Sequence, residues 1–293
     1  MPRTEVLTPA GLRQWPLPMP DGGKGSRGRV LVVGGARTSP GAAMLAGQAA
    51  LRVGAGVLTL AVGRSVAGPV AAAVPEAGVL WLTETAAGAV AGSAVEVIEP
   101  ALRTAAALLI GPGLDDIDQT AELVTGLAAA AAEQLPIVLD AYGIGALGTL
   151  SGDALAQLRG RLVLTPNHSE LSRLLEAAGL QADGSDDSDG GQRRLAEHYG
   201  AVLSSDNQIT TCGGESWSAP AGHSGLGTSG SGDVLAGALV GLLARGVQPA
   251  QAACWATYLH AAGDRLAARV GSLGFLAREL LDQLPLVITE LQA

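Results

Sequence analysis

The sequence predicts an α/β fold: a doubly wound, mostly parallel sheet flanked by helices, Rossmann-like in its three layers. Three observations predict it. Seven short apolar runs recur along the chain, and longer stretches with helical spacing separate most of them. The runs are apolar throughout instead of alternating with polar residues, as expected of strands covered on both faces. The 293 residues, 48% of them hydrophobic and only one of them Phe, suffice to bury a large aliphatic core.

The elements follow in order. RVLVVG (29–34) and GVLTLAV (56–62) are the first two strands, and the helical PGAAMLAGQAALRVG joins them, with Pro40 suited to a first helical turn. AGVLWL (77–82) and AALLIG (106–111) come next. The helical QTAELVTGLAAAAAEQ leads into PIVLD (136–140), SELSRLLEAAG follows RLVLT (161–165), and GGQRRLAEHYG leads into AVLSS (201–205). Later helices are expected over VLAGALVGLLARG and ATYLHAAGDRLAA. The acidic ADGSDDSDGG (182–191) reads as a surface loop. No fixed-period repeat occurs. Residues 1–23 read as an N-terminal extension and 24–293 as a single α/β domain.

A formal net charge of −9, with no run of Lys or Arg, argues against nucleic acid and anionic membranes as main partners. No stretch has the apolar length of a signal-peptide core or a membrane span, so a cytoplasmic location and a small-molecule role are expected. Cys212 and Cys254 lack CxxC spacing and read as buried thiols.

In sheets of this class ligands bind beyond the carboxyl ends of the strands. Four such places carry candidate residues: VVGGARTSPGAA, IGPGLDD with Gly111 and Gly113 around Pro112, LDAYG with Asp140 at a strand end, and LTPNHSEL. In the last, Asn167 or Ser169 suits a helix cap. The most distinctive segment is GTSGSGDVLAG (227–237). It is neither a Walker A loop nor a GxGxxG turn after an N-terminal strand. Its glycines let successive backbone N–H groups converge on an anion at a helix N-terminus. An acid there, Asp233, would repel a phosphate unless it has another task. Two readings stand side by side: a general base taking the proton of a substrate hydroxyl, or a plain helix cap.

Together, KGSRGRVLVVGG, PGAAMLAGQAALRVGAGVLTLAV, VPE, IGPGL, VLDA, LTPNHSEL, GTSGSGDVLAGALVGLLARG, ATYLHAAGDRLAA and GFLARELLDQLP resemble the ADP/ATP-dependent NAD(P)H-hydrate dehydratases. These form a carbohydrate-kinase-related branch of the ribokinase-like superfamily, and the similarity spans nearly the whole chain in order. The resemblance implies a ribokinase-like fold and repair of hydrated NADH or NADPH, with ADP or ATP and Mg²⁺ as cofactors. It further implies a homo-oligomer, in the form without a preceding epimerase domain. It assigns catalysis to Asp233. It assigns nucleotide binding to Ser204, Ser205, Asp206, Asn207, Gln208, Gly230, Ser231 and Gly232. Substrate contacts fall to Ala42, Gly113, Asp115, Asn167, His168 and Asp233, and no metal ligand is assigned.

The chain departs from the family pattern at strand ends. TPHPGE becomes TPNHSE, so Asn167 stands at the histidine position and His168 one place later. Asp115 and Asp116 follow GPGL, adding negative charge near a phosphate-rich ligand. VLKG becomes VLSS; a lysine lost beside phosphates removes a charge-assisted contact of about 1.5–3 kcal/mol. DADAL becomes DAYGIGAL, with Tyr142 at the second acidic position. Two further readings therefore stay open, a homologue that binds nucleotides without turnover and a small-molecule kinase. His260 reads as a packing or surface histidine, His223 as a loop histidine near the nucleotide, Lys24 as an exposed lysine before a strand, and the four Trp as core or interface residues.

Overall fold

The computed structural model describes residues 4–19, 21–180, 188–219, 222 and 224–292. One sheet contains ten strands: β1 (Glu5–Val6), β2 (Arg29–Val33), β3 (Val57–Gly63), β4 (Ala77–Leu82), β5 (Ala107–Ile110), β6 (Ile137–Leu139), β7 (Leu162–Leu164), β8 (Ala201–Ser205), β9 (Gln208–Thr211) and β10 (Ser216–Ser218). Their spatial order is β1-β10-β9-β8-β7-β6-β5-β2-β3-β4. From β8 to β4 every pairing is parallel, whereas β9 runs antiparallel to both its neighbours. All seven runs read as strands are β2 to β8.

The remaining strands escape the sequence pattern for a physical reason. Asp206 and Asn207 take φ of 49° and 63°, a two-residue left-handed turn that folds β8 back onto β9. QITT and SWS then pair as short, largely polar strands that show no apolar run. The N-terminal stretch adds β1 to the far side of β10. It also seats Leu7, Leu12 and Leu17 in the core, and the carbonyl of Trp15 accepts bonds from the Gln251 amide and the Trp255 indole.

The helices are α1 (Pro9–Gln14), α2 (Pro40–Arg52), α3 (Arg64–Ala73), α4 (Val95–Leu102), α5 (Ile117–Ala130), α6 (Tyr142–Leu147), α7 (Gly152–Leu158), α8 (His168–Ala177), α9 (Ser188–Tyr199), α10 (Ser231–Ala244), α11 (Pro249–His260), α12 (Gly263–Val270), α13 (Ala277–Leu280) and α14 (Leu284–Gln292). Successive strand residues point to opposite faces, so β2 sends Val30 and Val32 into one core and Leu31 and Val33 into the other. The first core contains α2, α10 and α11; the second contains α4, α5 and α9. This is the three-layer arrangement. The expected single helix over ATYLHAAGDRLAA is instead two, α11 and α12, parted at Ala261 and Ala262. Cys254 is buried as expected, but Cys212 is exposed because β9 ends one residue before it.

The chain lays down β2, β3 and β4 in one direction, then returns to place β5 on the other side of β2. The switch point of the sheet therefore lies between β2 and β5. A crevice at the carboxyl ends of strands opens where such a reversal occurs.

Candidate active site

The two turns at the switch point are stitched together. Gly35 N–H donates to the Pro112 carbonyl and Ala36 N–H to that of Gly113, both at 2.8 Å. Gly113 (φ 72°) lies so close to the start of α2 that an added Cβ would sit 2.2 Å from the Ser39 carbonyl oxygen and 3.2 Å from Ala42 Cβ. The expected substrate residues Ala42 and Gly113 are thus neighbours. Asp115 is exposed and accepts a bond from Thr38 Oγ1 at 3.0 Å, while Asp116 caps α5 by accepting from Gln119 N–H. Each acid has a partner on this side of the fold.

Asp140 directly follows β6 and is buried. Thr165 Oγ1 donates to its Oδ1 at 2.7 Å. Burial, with the charges of Asp233 and Glu170 adding to it, pushes its carboxyl up to about 7. Gly111 packs against the Asp140 carbonyl so tightly that a Cβ would approach it to 1.8 Å, which fixes this strand end. Beside it, a cavity of about 560 Å³ has Ala141, Tyr142, Ile144, Glu170, Arg173 and Leu174 among its walls.

At the end of β7, Asn167 caps α8: its Oδ1 accepts from the N–H groups of Ser169 and Glu170, and Glu170 accepts the Asn167 N–H in return. This reciprocal box holds Glu170 inward, where burial raises its pKa. His168, 85% exposed, sits 3.5 Å from Asp206 Oδ2 on the β8–β9 turn. One expected substrate residue therefore meets one expected nucleotide residue. Ser204 and Ser205 are buried; the Ser204 hydroxyl lies 2.8 Å from that of Thr257 on α11, whereas Ser205 Oγ has no partner among the described residues. Gln208 pairs with Ser205 across the hairpin, and the Asn207 carbonyl accepts from Ala219 N–H.

The start of α10 completes the site. Gly230, at φ 89°, turns the chain in a conformation that L side chains rarely adopt. The first helical bond to close is Val234 N–H on the Gly230 carbonyl, so the amides of Gly232 and Asp233 have no backbone acceptor among the described residues. Gly232 is exposed. Asp233, half-buried, is raised to about 6 by its burial. Ser231 turns inward, its Oγ 2.6 Å from His260 Nε2. Of the groups gathered here, the sequence reading marks Asp140 only as a strand-end acid and misses Thr165 and His260. A lone histidine on an apolar helix carries no local signal of a partner 29 residues away. His223 lies outside the described residues. Among the described residues no three His, Cys, Asp or Glu gather as a resident metal site. What the arrangement offers is a carboxylate poised near neutrality beside open helix-terminal amides, the elements of proton abstraction next to a bound anion.

Comparison with known proteins identifies the family and the fold. The profile of the NAD(P)H-hydrate dehydratase family matches residues 30–286. The chain is 41% identical over 293 residues to an ADP-dependent (S)-NAD(P)H-hydrate dehydratase of Xanthomonas campestris, covering 99% of this chain and 98% of that one. It is 39% identical to a bifunctional NAD(P)H-hydrate repair enzyme of Moorella thermoacetica, of which it spans 54%. Among solved structures, a Bacillus subtilis ADP/ATP-dependent NAD(P)H-hydrate dehydratase co-crystallised with ATP and Mg²⁺ superposes with a TM-score of 0.77 at 24% identity, covering 98% of this chain and 99% of that one. A ribokinase-like protein of Enterococcus faecalis does so at 0.81, also at 24% identity and covering 99% and 97%. These two likenesses establish the ribokinase-like fold. With most of its length matched by the profile and a full-length relative at 41% identity, the chain belongs to the NAD(P)H-hydrate dehydratase family.

Proposed function

We propose that this protein restores NADH and NADPH from their hydrated forms, using ADP or ATP, each as its Mg²⁺ complex, as phosphoryl donor. The observation that carries the reading is Asp233, a carboxylate held near neutral pKa at an open helix N-terminus in a chain of this family. Asp233 takes the proton of the ring hydroxyl, and the freed oxygen attacks the terminal phosphorus of the nucleotide, breaking its bridging P–O bond and releasing AMP from ADP or ADP from ATP. The amides of Gly232 and Asp233 receive the phosphate charge. Phosphate then leaves with the electrons of the C–O bond, a proton leaves the neighbouring ring carbon, and the double bond returns. Ala42 and Gly113, adjacent at the switch point, face the dinucleotide; the end of the β8–β9 hairpin from Asp206 to Gln208, with Gly230 to Gly232, holds the nucleotide, while the expected contacts Ser204 and Ser205 are buried in β8.

The lost lysine and the displaced histidine look different in this setting. Position 204 lies in the core against Thr257, and Asn167 is committed to capping α8. His168, exposed and ion-paired with Asp206 when protonated, is the histidine that can reach the substrate from this loop. The protein acts in the cytoplasm as a homo-oligomer; exposed Trp81 and Val97, at and near the outer strand β4, support self-association, which light scattering would read.

The test is recovery of reduced-nicotinamide absorbance from hydrated NADH or NADPH with MgADP or MgATP, wild type against Asp233→Asn. Recovery that the variant lacks is expected. No recovery with either donor, from folded protein that binds nucleotide, would overturn the assignment; a phosphorylated product without absorbance gain would point to a kinase.

A further inference from the structure

The N-terminus of α10 has no side-chain cap. Glycines stand on both sides of Ser231, so the peptide planes that present the open amides have wide conformational freedom. A phosphate site works through amides already aimed at the ligand, so something must hold this segment still. Ser231 is only 4% exposed, which turns its hydroxyl away from the cleft and into the protein. There it meets one group, His260 Nε2, at 2.6 Å. That histidine is the last residue of α11, a helix buried along most of its length and packed against α10. The ring is therefore anchored to a rigid element outside the glycine-rich turn.

We propose that His260 is a positioning residue of the nucleotide site, whose imidazole pins the Ser231 side chain and thereby holds the Gly232 and Asp233 amides in the geometry that receives a phosphate. The proposal rests on reading the start of α10 as the nucleotide's anion hole. Burial lowers the imidazole pKa to about 4, so the ring makes this bond as a neutral group at physiological pH. The pin then contributes geometry without adding charge. His260 touches neither nucleotide nor substrate in this assignment; it acts through Ser231.

The experiment is calorimetric titration of the full chain with MgADP, which needs no turnover, on wild type, His260→Ala, His260→Gln, Ser231→Ala and the His260→Ala/Ser231→Ala double variant. Gln can place a nitrogen or an oxygen where Nε2 lies. Expected are a roughly tenfold weaker Kd for His260→Ala and for Ser231→Ala, a double variant no weaker than either single one, and recovery to within about threefold by His260→Gln. In the turnover assay KM for the hydrated dinucleotide should move less than about twofold while kcat falls. Unchanged Kd in folded His260→Ala, or losses that multiply in the double variant, would overturn the proposal. If His260→Ala does not fold, the contrast of His260→Gln with Ser231→Ala carries the same test. A wild type that binds MgADP but restores no reduced cofactor defeats the dehydratase reading alone. A wild type that binds no MgADP defeats the pin.

Discussion

A carboxylate that accepts a proton from a hydroxyl works best with a pKa just below the working pH. Burial lifts Asp233 from the ordinary 3.8 to about 6, which leaves it ionised at pH 7 and far more basic than an exposed aspartate. Below that value the carboxylate is protonated and can take nothing more. The rate should therefore fall about tenfold per pH unit below pH 6 and level off above it. Asp233→Asn should lower kcat by about 10²- to 10⁴-fold, the usual range for a positioned acid or base, and abolish that acid limb. A kcat profile from pH 4.5 to 8.5 checks both. A wild-type plateau reaching down to pH 4.5 would place the base elsewhere. Single residues are also where the sequence alone says least. Asp115 and Asp116 look like charges thrust at a phosphate-rich ligand, yet one is bonded to Thr38 and the other caps α5. A one-dimensional pattern reports which residue stands at a strand end, not which way it turns.

Helix α10 is apolar on almost every side, the mark of a helix buried in a core. Its closest neighbour, α2, approaches over Gly237 and Gly241. An added Cβ at Gly237 would lie 2.1 Å from the Ala46 carbonyl oxygen, and one at Gly241 would lie 2.7 Å from Ala50 Cα. At Gly237 every near obstacle is backbone, so the helices must part there to admit a methyl group, whereas at Gly241 the Val53 side chain stands in the way as well. Gly237→Ala gains about 1 kcal/mol of helix propensity but incurs about 1–3 kcal/mol of overpacking. Because the clash is with backbone, the second term should win, and Tm should fall by several degrees. Gly152→Ala, where nothing lies within 4 Å, is the control and should leave Tm unchanged or raised. Equal shifts at the two positions would remove the packing argument. Since α10 carries Asp233 and α2 carries Ala42, the same variant should also reduce kcat. At this scale the sequence was largely legible: each strand from β2 to β8 contains a short apolar run flanked by turn residues or helical segments. The β9–β10 ribbon was not, because its strands are short and partly polar and its turn is specified by two residues, Asp206 and Asn207. Nor was the break between α11 and α12, where Ala261 and Ala262 look helical.

Across the whole molecule, the fold bears the cost of its own active site. Asp140 and Asp233 come from different parts of the chain, the end of β6 and the start of α10, and the topology brings both to the carboxyl ends of the strands, where burial raises both above the ordinary carboxylate pKa of 3.8. No sequence pattern shows this, since the coupling exists only once the sheet and α10 have assembled. Its consequence for stability has a definite sign. Between about pH 4 and pH 7 the folded protein keeps protons on these carboxyls that the unfolded chain has released, so stability falls as pH rises through that window. About one unit above pH 7 both are ionised in either state and the loss is complete. Asp140→Asn keeps the shape and an acceptor for Thr165 but carries no charge to bury. It should match wild type in Tm at pH 4 and exceed it by several degrees at pH 8, the difference opening between pH 4 and 7. Thermal melts of the two proteins across that range check it. A difference independent of pH would mean that the Asp140 charge is already solvated or paired in the native state, and that the raised pKa assigned to the site is wrong.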